Sequence, residues 1–489
     1  MSITALVFLV VYFGGLALAF KNPIWGLGAY MWAFYNHPPS RWWAGEVPNI
    51  RWSLIAAIVT AVAFVVHSAM SVKPRADDGG AGSDRTPLNA GLVLLVMLTA
   101  WMWIQSAWAV DPEAHFEGCM LFTKYVMLFF IIERLIRTEQ YLEMLAWAHV
   151  GGCFIWGWIA YTSDVNGRAE LDLGPGVGDS NTLGFHLVTA LAMGGLMVLG
   201  LAERRRFLLL GVLPFIMNAV ILTASRGATL AMVAAGVGSL LFAPRAKTKI
   251  IWAGAALGGV LFMALAGSDL FWARMNTISP SALSATDESE AEGSAYSRIV
   301  VARANWRMAA DHPLGAGYRG NVALSPDYVE KRWLTKTEGV RAAHNTFLAV
   351  LVDEGIFGLI ILVALLGWST VRLCSLKRLD RYGLPASIGT YRAGIAAGLI
   401  AYIVAGQFGN FITAEVGIWL LAMVAATDAL PSVQVCRGAI GRKLTAADRG
   451  AARSAGASAP FGSLPATRTA GYSQRSPHLF NTISDQTRR

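Results

Sequence analysis

Long apolar runs separated by short polar breaks constrain this chain more than any motif it carries. Stretches such as 50–71, 89–109, 182–201 and 391–409 are almost free of charge and lack the two-residue alternation of a half-buried strand. A helix of about twenty residues rises about 30 Å, the thickness of the hydrocarbon layer. Inside lipid every backbone amide must be bonded within the protein, so only helices or a closed barrel can cross, and the missing alternation excludes the barrel. The expected fold is an all-α polytopic membrane protein. A charged fraction of 15% against 55% hydrophobic residues is too small to clothe a soluble chain of 489 residues.

Candidate spans run over 3–20, 23–37, 50–71, 89–109, 118–136, 142–161, 182–201, 206–223, 227–243, 249–266, 344–371, 391–409 and 412–428. The second is short for a crossing, so 12 or 13 transmembrane helices are expected, with one large loop between the last of them. The first run lacks a basic flank and a small-residue cleavage site and reads as a retained span. Basic residues fall at every second loop: Lys73, Arg75 and Arg85; Arg134 and Arg137; Arg204, Arg205 and Arg206; Arg245, Lys247 and Lys249; then Arg372, Lys377, Arg378 and Arg381. By the positive-inside rule these loops are cytoplasmic and the neutral or acidic ones, with the large loop 268–343, face outward.

Three regions follow: 1–223, an N-terminal transmembrane region; 224–430, a core that includes the loop 268–343; and 431–489, a basic tail without apolar periodicity, expected to be disordered and cytoplasmic. The tail's arginines supply much of the net charge of +9. Attraction to anionic inner-leaflet lipid accounts for such a tail, so no nucleic-acid partner is expected. Cys119, Cys153, Cys374 and Cys436 share no metal or redox spacing and read as packing residues. No internal repeat marks an inverted-repeat transporter.

Chemistry is expected where polar groups interrupt this pattern on the outer side. Arg226, in the break Thr223-Ala224-Ser225-Arg226-Gly227, must lie at or just below the membrane surface, where a guanidinium either snorkels or binds a phosphate bidentately. In the large loop, Ser297-Arg298 opens a helix-like stretch to Ala310 that His312-Pro313-Leu314-Gly315-Ala316-Gly317 closes, placing Arg298 before the first turn. Arg341-Ala342-Ala343-His344-Asn345 then leads into the next span. An imidazole there suits a general base, and a helix N-terminus disfavours its protonated form. Trp306, Tyr318 and Trp333 are candidates to stack on sugar rings, or interfacial aromatics of the ordinary kind. Asp353 and Glu354 lie deeper in that span and need partners. The acidic run from Asp287 to Glu292 reads as a solvated patch.

Ala224-Ser225-Arg226-Gly227-Ala228, Ser297-Arg298 with Trp306 and His312 to Gly317, and Ala343-His344-Asn345 followed by Glu354-Gly355-Ile356-Phe357-Gly358-Leu359 together resemble the O-antigen ligase and polymerase superfamily. The segment Gly174 to Asn181 is similar to that of the exosortase A-associated O-glycosylation ligase subgroup, and the likeness extends upstream through Asn36 to Trp52. The resemblance covers nearly the whole chain except the tail. It implies a GT-C-like enzyme of the bacterial inner membrane, its active site facing the periplasm, that moves a glycan from an undecaprenyl diphosphate carrier to a lipid- or protein-linked acceptor hydroxyl. Arg226 and Arg298 would stabilise the leaving diphosphate and His344 would take the acceptor proton, with Arg341, Asn345, Asn181 and Trp306 binding substrate. No Asp-x-Asp pair occurs, so no metal and no cofactor is expected. A polymerase of the same superfamily, a transporter and an inactive scaffold are the competing readings.

Overall fold

The computed structural model describes residues 1–71, 89–163, 168–244 apart from 175 and 178, 246–276, and 290–440 apart from 336. Lys73, Arg75, Arg85 and Arg245, the acidic residues 287–289 and the tail from 441 lie outside the described residues. The described elements are all helical. The first six helices are α1 (Ile3–Ala19), α2 (Ile24–Asn36), α3 (Trp52–Ser71), α4 (Ala90–Gln105), α5 (Pro112–Leu135) and α6 (Glu139–Thr162). Then come α7 (Ser180–Gly200), α8 (Leu209–Leu222), α9 (Arg226–Phe242), α10 (Ala246–Ala266) and α11 (Asp269–Asn276). The loop holds α12 (Glu290–Asp311), α13 (Gly320–Ala323) and α14 (Ser325–Tyr328), and the chain continues through α15 (Thr346–Asp353), α16 (Gly355–Arg378), α17 (Ala386–Ala405) and α18 (Glu415–Ala429).

Among the described residues six helical segments are long and apolar enough to cross a membrane, and up to eight if two bent pairs each count as one span; α1, α4 and α9 are shorter apolar helices. With 13 residues, α2 is only about 20 Å long, too short to cross alone. Outward-facing apolar rows repeat at helical spacing: Val233, Val237 and Leu241 on α9, and Ile356, Ile360 and Val363 on α16, are all exposed. Such rows on a folded surface belong against lipid. Cys119, Cys153 and Cys436 are buried as expected, whereas Cys374 is exposed.

At the centre α17 packs on both α7 and α9. Small residues permit the approach: a Cβ placed on Gly184 of α7 would stand 2.6 Å from the Ala228 Cβ of α9. The two ends of this bundle differ in charge. Arg204, Arg205 and Arg206 precede α8, and the end of α16 meets the end of α9 where Lys377 donates to the Leu241 carbonyl. At the same end the fully buried Arg392 pairs with Asp380 and donates to the Phe242 carbonyl at 2.9 Å. The break Thr223 to Arg226 and the start of α16 lie at the opposite end, one helix length away.

Two expectations about the helices need correction. The span 344–371 is not one helix: it breaks at Glu354–Gly355, where Gly355 takes φ +67°. The loop enters the ladder there. Ala316 N–H donates to the Val352 carbonyl at 2.9 Å, Gly317 N–H to that of Asp353 at 2.8 Å, and Ile356 N–H to that of Pro313 at 3.1 Å. Arg298 does not precede a first turn either, because α12 begins at Glu290 and places it in the third. The earlier turns have no apolar periodicity from which to read a helix.

The loop is seated on α4 and α5 as well. Trp108 Nε1 donates to the Gly315 carbonyl at 3.0 Å, Gln105 Nε2 to that of Leu314 at 2.9 Å, and Tyr318 N–H to His115 Nδ1 at 2.8 Å. Its own small core joins Ala304 and Met308 of α12 to Val329 and to Val352 of α15. Trp333 packs against that core, and Tyr318 lies over Gly118 of α5, so both are largely packing residues.

Candidate active site

The break between α8 and α9 is built by backbone groups that the helices leave over. Ala224 adopts φ +43° and reverses the chain, and Ser225, in extended conformation, caps α9 by accepting from Ala228 N–H at 3.2 Å. Arg226 is therefore the first residue of α9, at its positive end. Free carbonyls at the end of α8 need donors. Arg168 Nε reaches that of Thr223 at 3.3 Å and Arg274 Nε that of Ala224 at 3.1 Å. The Ser225 hydroxyl donates to Asn181 Oδ1 at 2.8 Å, and Asp179 caps α7 by accepting from Asn181 N–H at 2.8 Å and Thr182 N–H at 3.1 Å. Asn181 thus locks the start of α7 to the start of α9.

His344 stands at a second reversal, with φ +50°. For a residue with a Cβ that conformation costs about 1–2 kcal/mol, so the flanks must hold it. Upstream, Arg341 N–H donates to Ser325 Oγ at 2.7 Å and Ala343 N–H to Asn321 Oδ1 at 3.0 Å. Downstream, Asn345 caps α15 by accepting from Phe347 N–H at 2.9 Å and Leu348 N–H at 3.0 Å, and its amide donates to Gln407 Oε1 at 3.2 Å. Thr346 N–H bonds to the Gly406 carbonyl at 2.7 Å, and its hydroxyl donates to Gly409 at 2.8 Å and accepts from Phe411 N–H at 2.9 Å.

Electrostatics show that the two reversals share one neighbourhood. Burial first, then Arg226, Arg168, Arg274 and Arg341, pull the Arg298 guanidinium down from its ordinary value to about 10. Burial is also the main cause of the fall of His344 to about 4, followed by Arg341 and Arg298, with Asp179 opposing. Imidazole at neutral pH is therefore uncharged here. Arg168 is lowered by burial and by Arg274 and Arg226, against the pull of Glu170, 3.6 Å away, and Asp179. Two donors in the group, Arg168 Nη2 and Arg341 Nε, are buried without an acceptor in the protein. Buried donors of that kind call for a ligand acceptor.

The structure thus brings together Arg226, Arg298, Arg341, His344 and, through Ser225, Asn181. It adds Arg168 and Arg274, which the sequence reading missed. Asn345 adjoins His344 with its carbonyl oxygen spent on the cap. Trp306 stands apart: it is 61% exposed on α12, about 12 Å along the helix from Arg298 and about 80° around it.

Residues 210–363 match the model of the family described as O-antigen ligase, Wzy_C. The match supports a place in the O-antigen ligase superfamily. It spans the break at Arg226, the large loop and His344, and leaves Arg168 and Asn181 outside. No curated protein matches the chain. With the all-helical fold, the match indicates a membrane enzyme of the O-antigen ligase or polymerase type, a family whose substrates are lipid-linked glycans.

Proposed function

We propose that this protein is a GT-C-like glycosyltransferase of the bacterial inner membrane, transferring a glycan from undecaprenyl diphosphate to an acceptor hydroxyl at the periplasmic end of the bundle. The observation that carries this reading is the gathering of Arg168, Arg226, Arg274 and Arg341 around Arg298, with buried donors on Arg168 and Arg341 that have no protein acceptor. Mutually repelling cations held together in a half-buried site are suited to a polyanion, and guanidinium matches phosphate oxygens bidentately. Their end of the bundle is opposite Arg204 to Arg206 and Lys377, which fits an outer site under the positive-inside rule.

In the transfer, the acceptor oxygen bonds to the anomeric carbon while the bond to the carrier's phosphate oxygen breaks, and the diphosphate leaves with the electron pair. Arg226 and Arg298, backed by Arg341, stabilise the charge that grows on it. His344 orients the hydroxyl and takes its proton. Burial holds His344 down first and the two arginines second; a bound diphosphate offsets the arginines' part, raising its basicity when a base is needed. The arginines supply the positive charge, so the reaction runs without a divalent ion. Asn181 and Asn345 border the donor and acceptor sides, and Trp306 meets sugars farther along the glycan. The reading as a member of the exosortase A-associated subgroup rests on the sequence likeness of Gly174 to Asn181, where Asp179 caps α7.

The test is transfer by purified protein in proteoliposomes containing lipid-linked glycan and acceptor. Wild type should release undecaprenyl diphosphate in step with glycan–acceptor product, and His344→Ala should insert normally but transfer nothing. Movement of intact lipid-linked glycan without bond exchange would show a transporter instead. In cells lacking the protein, long carrier-linked polymer should accumulate; single repeat units would point to the polymerase.

A further inference from the structure

The segment that carries His344 is tied to the corner between α13 and α14 by two polar side chains, and one of them is fixed by a carboxylate. Asn321, 1% exposed, directs its amide nitrogen at both oxygens of Asp353, 2.8 and 2.9 Å away, and its backbone N–H at Oδ1, 2.7 Å away. Asp353 is itself 4% exposed. Asp353 Oδ1 already accepts from the Asn321 backbone N–H, and Ala343 N–H needs an acceptor, so the NH₂ of Asn321 faces the carboxyl group and its amide oxygen faces the other way. That oxygen is the acceptor for the N–H of Ala343, the residue immediately before His344. Two residues upstream, the fully buried Ser325 accepts from Arg341 N–H at 2.7 Å while donating to the Val322 carbonyl at 2.7 Å.

We infer that Asn321, oriented by Asp353, is a positioning residue for the transfer, setting where His344 meets the acceptor hydroxyl. This rests on the reading of His344 given above. Asp353 begins the break at which the loop docks, so the tie makes the imidazole's position depend on that docking. Ser325 adds a second tie, at Arg341, on the same strand-like segment. Asn321 and Asp353 act on Ala343, whereas Ser325 acts on Arg341 and so touches the donor side as well.

The experiment compares Asn321→Ala, Ser325→Ala and the exchange Asn321→Asp with Asp353→Asn in full-length protein in proteoliposomes. In the exchange, the carboxylate at 321 still accepts from Ala343 N–H and the amide at 353 supplies the donor between them. Asn321→Ala should lower kcat about tenfold, the cost of a displaced reacting group in a step tuned to near-contact geometry, with KM for the lipid-linked donor unchanged. Ser325→Ala should lower kcat several-fold, and the exchange should restore it towards wild type. Undecaprenyl diphosphate should bind Asn321→Ala and the exchange variant with wild-type affinity. Wild-type kcat in both Asn321→Ala and Ser325→Ala would overturn the inference, as would a folded exchange variant no faster than Asn321→Ala. If Asn321→Ala fails to fold, the exchange and Ser325→Ala decide alone. Wild-type transfer by His344→Ala would refute the functional reading itself. Loss of activity in His344→Ala beside full activity in the Asn321 and Ser325 variants would sink only the positioning role.

Discussion

Replacing Arg341 by Gln should move the acid limb of the pH–rate profile upward. Burial, then Arg341 and Arg298, take His344 from its ordinary 6.5 down to about 4. Arg341 is the largest cause of that fall after burial, so removing its charge should raise the value. The profile of kcat/KM reports the free enzyme, so its acid limb should lie near 4 in wild type and higher in Arg341→Gln. The profile of kcat reports the donor complex, in which the bound diphosphate offsets the arginines, so in both proteins that limb should lie higher. A stability measurement gives an independent check. The folded pKa is below the unfolded 6.5, so the unfolded chain binds this proton more readily. His344's contribution is complete above about 6.5 and is lost as pH falls through 4, up to about 3 kcal/mol. Arg341→Gln should lose less of it, narrowing its stability deficit against wild type between pH 6 and 4. A kcat/KM limb that stays in place or moves down would refute the coupling of Arg341 to His344.

Arg298→Ala and Arg226→Ala should each lower transfer about 10²- to 10³-fold without affecting membrane insertion, and Arg298→Lys should recover only part because it cannot bond bidentately; activity within a few-fold of wild type in both Ala variants would remove them from the site. Gly355→Ala should destabilise the protein by at least about 2 kcal/mol in thermal denaturation, since φ is +67° and the new Cβ would meet the Leu314 carbonyl carbon at 2.4 Å; an unchanged melting temperature would contradict the break. Transfer by purified protein should persist in excess chelator, and a strict requirement for a divalent ion would refute the arginine-based mechanism.

The helices were largely legible because lipid imposes a period and a length that the apolar runs record directly. The break at Glu354–Gly355 was not. Apolar sequence continues on both sides of it, and the ladder is interrupted by Pro313 to Gly317, residues that are distant in sequence. Arg226, Arg298, Arg341 and His344 could be picked out because each borders an apolar run or a glycine turn. Arg168 and Arg274 lie in connecting segments where a lone arginine is unremarkable, and only folding brings them to the carbonyls of Thr223 and Ala224. One signal was available: both lie in segments that the positive-inside rule assigns to the outer face, where a basic residue is not called for by topology.

The bonds from Thr346 to Gly406, Gly409 and Phe411 have a consequence for biosynthesis. These partners lie after α17, so they leave the ribosome about sixty residues later than Thr346 itself. A nascent chain that stops after α16 already contains all five arginines and His344, yet it lacks the bonds that tie Thr346 to the stretch after α17. Under the proposed function, the site is complete only once the chain has been made through Phe411, past α17, so a shorter nascent chain does not consume donor.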